Sequence, residues 1–164
     1  MKGFEDIFSA NARYVEDFQS SALTGQAARG LAIITCIDSR IAPLAIMGMQ
    51  PGDAKIIRNA GARVTDDVLR TLVLATHLLN VSRILVMPHT DCRMASGTEA
   101  EIHAAILEKS GVDTRSIEIR TVRDPLEALE IDLNRIKSFP LLAANIEVAG
   151  AIFNVGTGEL RTFA

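Results

Sequence analysis

Cys36 and Cys92 are the only cysteines in this chain, and each lies in a pattern suited to holding a metal. The first stands in Thr35-Cys36-Ile37-Asp38-Ser39-Arg40, directly after the apolar run Leu31-Ala32-Ile33-Ile34. The second stands in Pro88-His89-Thr90-Asp91-Cys92, directly after Ile84-Leu85-Val86-Met87. Two strand-like runs thus each end in a soft ligand. His89 and Cys92, three apart in a turn, are spaced to chelate one ion. Two thiolates and one imidazole leave a tetrahedral zinc with one open position, the pattern of a catalytic site rather than a closed structural one. Asp38 is two residues from Cys36 on an extended segment, so the two side chains face the same side. It is also two residues from Arg40, whose guanidinium can grip a carboxylate bidentately. Asp38 therefore has two available states: paired with Arg40, or closing the zinc as a fourth ligand.

Other chemistries account for the two cysteines less well. A disulfide is disfavoured in a reducing compartment, and both sites carry acidic or His neighbours. A phosphatase-type nucleophile at Cys36 lacks a glycine-rich phosphate loop before its arginine. Two inert buried thiols would leave the partners at both strand ends unexplained. A structural zinc closed by Asp38 is the serious rival, and it would make the chain a non-catalytic, zinc-stabilised interaction module. His77 and His103 fall within helical patterns and read as ordinary helix residues. Asn59-Ala60-Gly61 is a glycine turn too poor in glycine to signal a phosphate loop.

The elements that must position these residues alternate along the chain. Phe4 to Phe18 places Phe4, Ile7, Phe8, Val15 and Phe18 near one helical face, an aromatic load that suits an arm reaching a partner subunit. A polar connection, 19–30, follows. Strands are expected over Leu31–Ile37, Ala54–Asn59, Arg83–Met87, Ile146–Asn154 and Leu160–Phe163. Between them, Pro43 starts a short helix that ends at Gly48. Thr65, Asp66 and Asp67 open a helix carrying Val68, Leu69, Leu72, Val73 and Leu79. Ser96 and Glu99 read as a capping box before a helix with Ile102, Ala105 and Ile106, stopped by Gly111. Asp124-Pro125 starts a helix with Leu126, Leu129, Leu133 and Ile136 on one stripe. This alternation predicts an α/β fold: a mostly parallel central sheet of order 2-1-3-4, an antiparallel edge strand 5, flanking helices and an N-terminal helical arm. In that order the carboxyl ends of strands one and three border the switch point where open α/β sheets bind ligands. Cys36 and the His89/Cys92 pair fall at those two ends.

Composition narrows the classes. At 164 residues the chain has the length of one domain, with 1–30 as arm and connection and 31–164 as core. Net charge is −3 with acids and bases interspersed, and no basic stripe or aromatic-basic interleaving marks a nucleic-acid partner. No apolar run has membrane-spanning length, and Met1-Lys2-Gly3-Phe4-Glu5-Asp6 does not open a signal peptide. Two cysteines without an export signal point to the cytoplasm.

With these residues in hand, the chain resembles the β-class carbonic anhydrases, in their compact bacterial and archaeal branch. The resemblance rests on Cys36-Ile37-Asp38-Ser39-Arg40, Arg58-Asn59-Ala60-Gly61, Val64-Thr65-Asp66-Asp67-Val68-Leu69-Arg70 and His89-Thr90-Asp91-Cys92. It continues weakly to Ala149-Gly150-Ala151-Ile152-Phe153 with Thr157-Gly158. It implies one zinc per chain held by Cys36, His89 and Cys92, with Asp38 and Arg40 as a dyad beside the metal. It implies reversible hydration of carbon dioxide to bicarbonate by a zinc-bound hydroxide, and a homodimer or larger assembly. Related hydrolases of carbonyl sulfide or carbon disulfide resemble the same branch and would use the same site. One position departs: the family usually places Gly after the second cysteine, and here it is Arg93.

Overall fold

The computed structural model describes residues 2–18 and 22–163, so the first part of the expected connection, 19–21, lies outside the described residues. Helix α1 spans Glu5–Asp17, β1 Leu31–Cys36, α2 Pro43–Ile46, β2 Ala54–Asn59 and α3 Asp66–Leu78. Then come β3 over Arg83–Met87, α4 over Glu99–Ser110, α5 over Pro125–Lys137, β4 over Glu147–Phe153 and β5 over Leu160–Phe163. The expected elements are all present, with ends moved by a residue or two. Ile37, expected in the first strand, lies just past it and is exposed, although its N–H still reaches the Asn59 carbonyl at 3.0 Å.

Caps decide where the helices begin. The Thr65 hydroxyl accepts the Val68 N–H, and Asp66 and Asp67 sit in the first turn of α3, where the helix dipole favours acids. Asp124 accepts the N–H groups of Leu126 and Glu127, and Pro125 needs no donor at the first position of α5. The capping box of α4 is not the Ser96/Glu99 pair that the pattern suggested. It is formed by Thr98 and Glu101, two residues on, with both reciprocal bonds made. Overlapping patterns competed, and tertiary partners chose between them. The Glu99 carboxylate instead accepts the N–H groups of Ile119 and Arg120, and the Ser96 hydroxyl donates to the Arg93 carbonyl. Gly111 closes α4 in the left-handed conformation that favours glycine.

The sheet has the order β2-β1-β3-β4-β5. The first four strands are parallel, and β5 returns antiparallel to β4. Its two faces carry two cores. On one, Ala32 and Ile34 of β1 and Ile84 and Val86 of β3 pack with Val68, Leu69, Leu72 and Ala75 of α3 and Leu129, Leu133 and Ile136 of α5. On the other, Leu31, Ile33, Met87 and Phe153 pack with Ile41 and the α2 region. Two stripes are less buried than expected: Leu126 in α5 is exposed, and the one buried residue of α4 is His103. No described helix is long and apolar enough to cross a membrane.

Strands β1 and β3 run in a register that pairs Thr35 with Met87, the last step before the two ligand-bearing ends. Fully buried Thr35 strengthens that step, donating its hydroxyl to the Met87 carbonyl at 2.8 Å. Thr35→Val keeps the shape and loses the donor. It should cost about 1–2 kcal/mol in urea unfolding. An unchanged midpoint would show that the hydroxyl adds nothing to the strand pair.

Candidate metal centre

Cys36 is the last residue of β1, and its register partner on β2 is Asn59. His89 follows β3 and is held by the end of β4. It bridges to Phe153, the Phe153 N–H donates to the Pro88 carbonyl at 2.9 Å, and the Thr90 N–H donates to the Phe153 carbonyl at 2.9 Å. Asp91 then takes a left-handed turn (φ 55°), which swings Cys92 back toward the sheet. Three ligand atoms from Cys36, His89 and Cys92 come within 4.8 Å of one another. Cys36 and His89 are buried, and Cys92 is partly open.

Three features fit this trio to a soft divalent cation. First, the His89 Nδ1 lies 2.8 Å from the Thr90 carbonyl, which can only accept. In the neutral ring this puts the proton on Nδ1 and the free lone pair on Nε2. Second, that Nε2 is buried with no hydrogen-bond partner among the described residues. A buried acceptor left unsatisfied is costly, and a metal satisfies it. Third, the sulfurs lie 4.0 Å apart as free thiols, not as a disulfide. Two sulfurs on a tetrahedral zinc, each at about 2.3 Å, sit roughly 3.8 Å apart. Burial, then the neighbouring Cys36, pushes the Cys92 thiol up, against a lowering backbone hydrogen bond from Met94. A bound cation would reverse that balance and keep the Cys92 sulfur as a thiolate.

Asp38 stands beside the trio, gripped by Arg40. The guanidinium donates from Nε to Oδ1 at 3.0 Å and from NH2 to Oδ2 at 2.7 Å, and the Arg40 backbone N–H adds a third bond at 2.9 Å. These Arg40 hydrogen bonds hold the Asp38 carboxyl well below the usual carboxylate range and push the guanidinium up. The nearest Asp38 oxygen is 3.8 Å from His89 Nε2, too far for a hydrogen bond but adjacent to where an ion would sit. Arg40 also donates to the Asp91 side chain at 2.8 Å and to its carbonyl at 3.0 Å, which ties the two strand-end loops together.

Sequence reasoning gave no role to Asp91 or to Arg58. The Arg58 guanidinium donates to three main-chain carbonyls, of Cys36 at 2.8 Å, Asp38 at 2.6 Å and Ile41 at 3.2 Å. It fastens the whole 36–41 turn to β2. Arg58 stood in one of the motifs behind the resemblance, but nothing in the sequence assigned its side chain a partner. Arg93 is exposed, and among the described residues its side chain makes no hydrogen bond or ion pair with Cys36, His89 or Cys92. His103 lies in α4 as its pattern suggested; it is buried, with Nδ1 2.8 Å from the Thr114 hydroxyl. It lines a cavity of about 660 Å³ with Leu107 and Ile117, formed by other residues than the ligand trio.

Comparison with known proteins decides the family. The sequence profile of the family described as carbonic anhydrase matches residues 31–135. β-Carbonic anhydrase 1 of Mycobacterium tuberculosis is 33% identical over 158 residues, covering 96% of this chain and 95% of that protein. The chain belongs to the β-carbonic anhydrase family. The crystal structure of the carbonic anhydrase from Streptococcus mutans superposes with a TM-score of 0.92 at 36% identity, covering 100% of this chain and 99% of that one. A carbon disulfide hydrolase of Saccharolobus solfataricus is 31% identical, covering 81% of this chain and 76% of that protein. Membership makes the chain an enzyme of the carbonate dehydratase type, and the non-catalytic module falls away.

The Asp38–Arg40 grip has a measurable acid signature. A carboxyl with a depressed folded-state pKa stabilises the fold above its unfolded value of about 3.9, and that contribution is lost as pH falls through the folded value. In Arg40→Ala the Asp38 carboxyl should titrate near the ordinary value, as read by carboxyl NMR on the metal-free protein. A carboxyl that stays strongly depressed there would mean that Arg40 is not its cause.

Proposed function

We propose that this protein hydrates carbon dioxide reversibly to bicarbonate and a proton, with one zinc per chain held by Cys36, His89 and Cys92. The observation that carries the reading is the buried His89 Nε2, without a hydrogen-bond partner among the described residues and grouped with two thiols. When bound, zinc acidifies a coordinated water and so supplies a nucleophile near neutral pH.

The chain's own residues do the rest. The Thr90 carbonyl fixes the His89 tautomer. Arg40 keeps Asp38 as an ionised, oriented acceptor beside the cluster. Held there, the carboxylate would be placed to accept a hydrogen bond from a water at the open side of the trio and to orient it. Arg40 brings positive charge to a centre whose two thiolates already offset the cation. Were zinc bound, the Asp38 carboxylate, released from Arg40, would be able to compete for it at acid pH. Residues 1–164 work as one domain, and two unpaired cysteines suit a reducing cytoplasm.

Carbon disulfide is also linear and uncharged, and the Saccharolobus relative supports it as a second substrate. Metal analysis with parallel hydration and carbon disulfide assays tests the reading. Wild type should carry one zinc and hydrate carbon dioxide. Cys92→Ser should lose most of both zinc and activity; full zinc occupancy in that variant would sink the ligand assignment. Arg40→Ala should keep zinc but lose roughly 100-fold in rate even at alkaline pH. Arg40→Lys should restore little, since the fork is gone. Turnover of carbon disulfide alone would transfer the site to the second substrate.

The assembly is read from α1. The helix has no buried residue, and Phe4, Ile7, Phe8, Tyr14, Val15 and Phe18 are all more than half exposed. A second copy of the chain is the cover that this reading supplies. Deleting residues 1–18 should weaken dimerisation in sedimentation velocity; an intact dimer would rule out the arm as the main contact.

A further inference from the structure

The loop after β2 is strained and unusually well tethered. Gly61 (φ 80°) and Ala62 (φ 59°) are successive left-handed residues, and the second has a Cβ. Such a conformation persists only when its surroundings over-determine it. Here they do, from two sides. The Asn59 side chain accepts the Arg63 N–H at 2.8 Å and donates to the Arg63 carbonyl at 2.6 Å, which clamps the loop across its base. The Arg63 guanidinium reaches Asp132 on α5, Nε to Oδ2 at 2.7 Å and NH2 to Oδ1 at 3.4 Å. Both side chains are largely buried, at 14% and 5% exposure. A buried ion pair is poor value as stability alone, because desolvation consumes most of the attraction. A fixed geometry is the better account of it.

That geometry ends at the metal site. The loop aims the Gly61 N–H at the Cys36 sulfur, 3.4 Å away. On its other side Gly61 is backed by Met94, whose side chain would lie 3.3 Å from any added Cβ, and Met94 is itself held by the Val122 N–H on its carbonyl. A donor on a thiolate withdraws charge from sulfur and leaves the bound cation more acidic.

We propose that Asn59 and the Arg63–Asp132 pair are positioning residues that hold the Gly61 N–H on the Cys36 sulfur and so tune that ligand's donation to the metal. The inference rests on the zinc reading above, and cobalt(II) separates the two. A thiolate bound to cobalt gives a sulfur-to-metal absorption band whose energy reports the charge on sulfur. Arg63→Met/Asp132→Leu removes both charges without stranding either one. Asn59→Ala cuts the other tether. In the full-length protein, both variants should melt cooperatively and move the band to lower energy. Each should also hold cobalt about 10–100-fold less tightly against a chelator. Arg63→Lys, with charge but no fork, should leave the band displaced. Should the double variant fail to fold, Asn59→Ala decides by the same two readouts. Folded variants with the wild-type band and affinity overturn the proposal and leave the zinc reading intact. Wild-type protein that shows no sulfur-to-cobalt band overturns the zinc reading, and this one with it.

Discussion

If β3 slipped by one residue against β1, the grouping of Cys36, His89 and Cys92 would be lost. Side chains alternate faces along a strand, so a single step moves every one of them to the wrong side. The register is fixed by the apolar residues both strands bury in the two cores, and by the Thr35 hydroxyl on the Met87 carbonyl. Of the three residues only Cys36 lies within a strand, at the last position of β1; His89 and Cys92 follow β3. Each delivers its ligands at the carboxyl end, where the chain leaves the sheet and can turn.

Those turns are held by arginine hydrogen bonds as well as by the apolar packing of Ile41. Arg58 clasps three carbonyls of the 36–41 turn, and Arg40 joins Asp38 to Asp91 across the gap between the two loops. Backbone carbonyls beside a cation centre would otherwise need water or strain to satisfy them. The guanidinium plane suits the task because it offers several donors in fixed directions. The site thus rests on a rigid sheet below and on arginine forks around its rim.

The sequence revealed most where the physics is local. Strand runs, the Asp124-Pro125 start and the Gly111 stop are written in neighbouring residues, and they fell within a residue or two of place. The grouping of Cys36, His89 and Cys92 was legible because few residue types bind soft metals, and both strand ends carried them. Partners distant in sequence were not legible. Arg63 and Asp132 are 69 residues apart, and nothing near either one announces the other. Arg58 was hidden differently, since its partners are carbonyls, which every residue has. The Ser96/Glu99 pattern misled because Thr98/Glu101 offered the same cap, and only folding assigned Glu99 to Ile119 and Arg120.

Helix α1 has a thermodynamic consequence. Thirteen residues are too few for a stable helix alone in water, and this one gains nothing from the core of its own chain. Any partner that covered its apolar face would therefore raise its helical content by mass action. Where that cover is another copy, dilution unwinds the arm before it touches the sheet, and a melting temperature for this protein has meaning only beside the concentration at which it was taken.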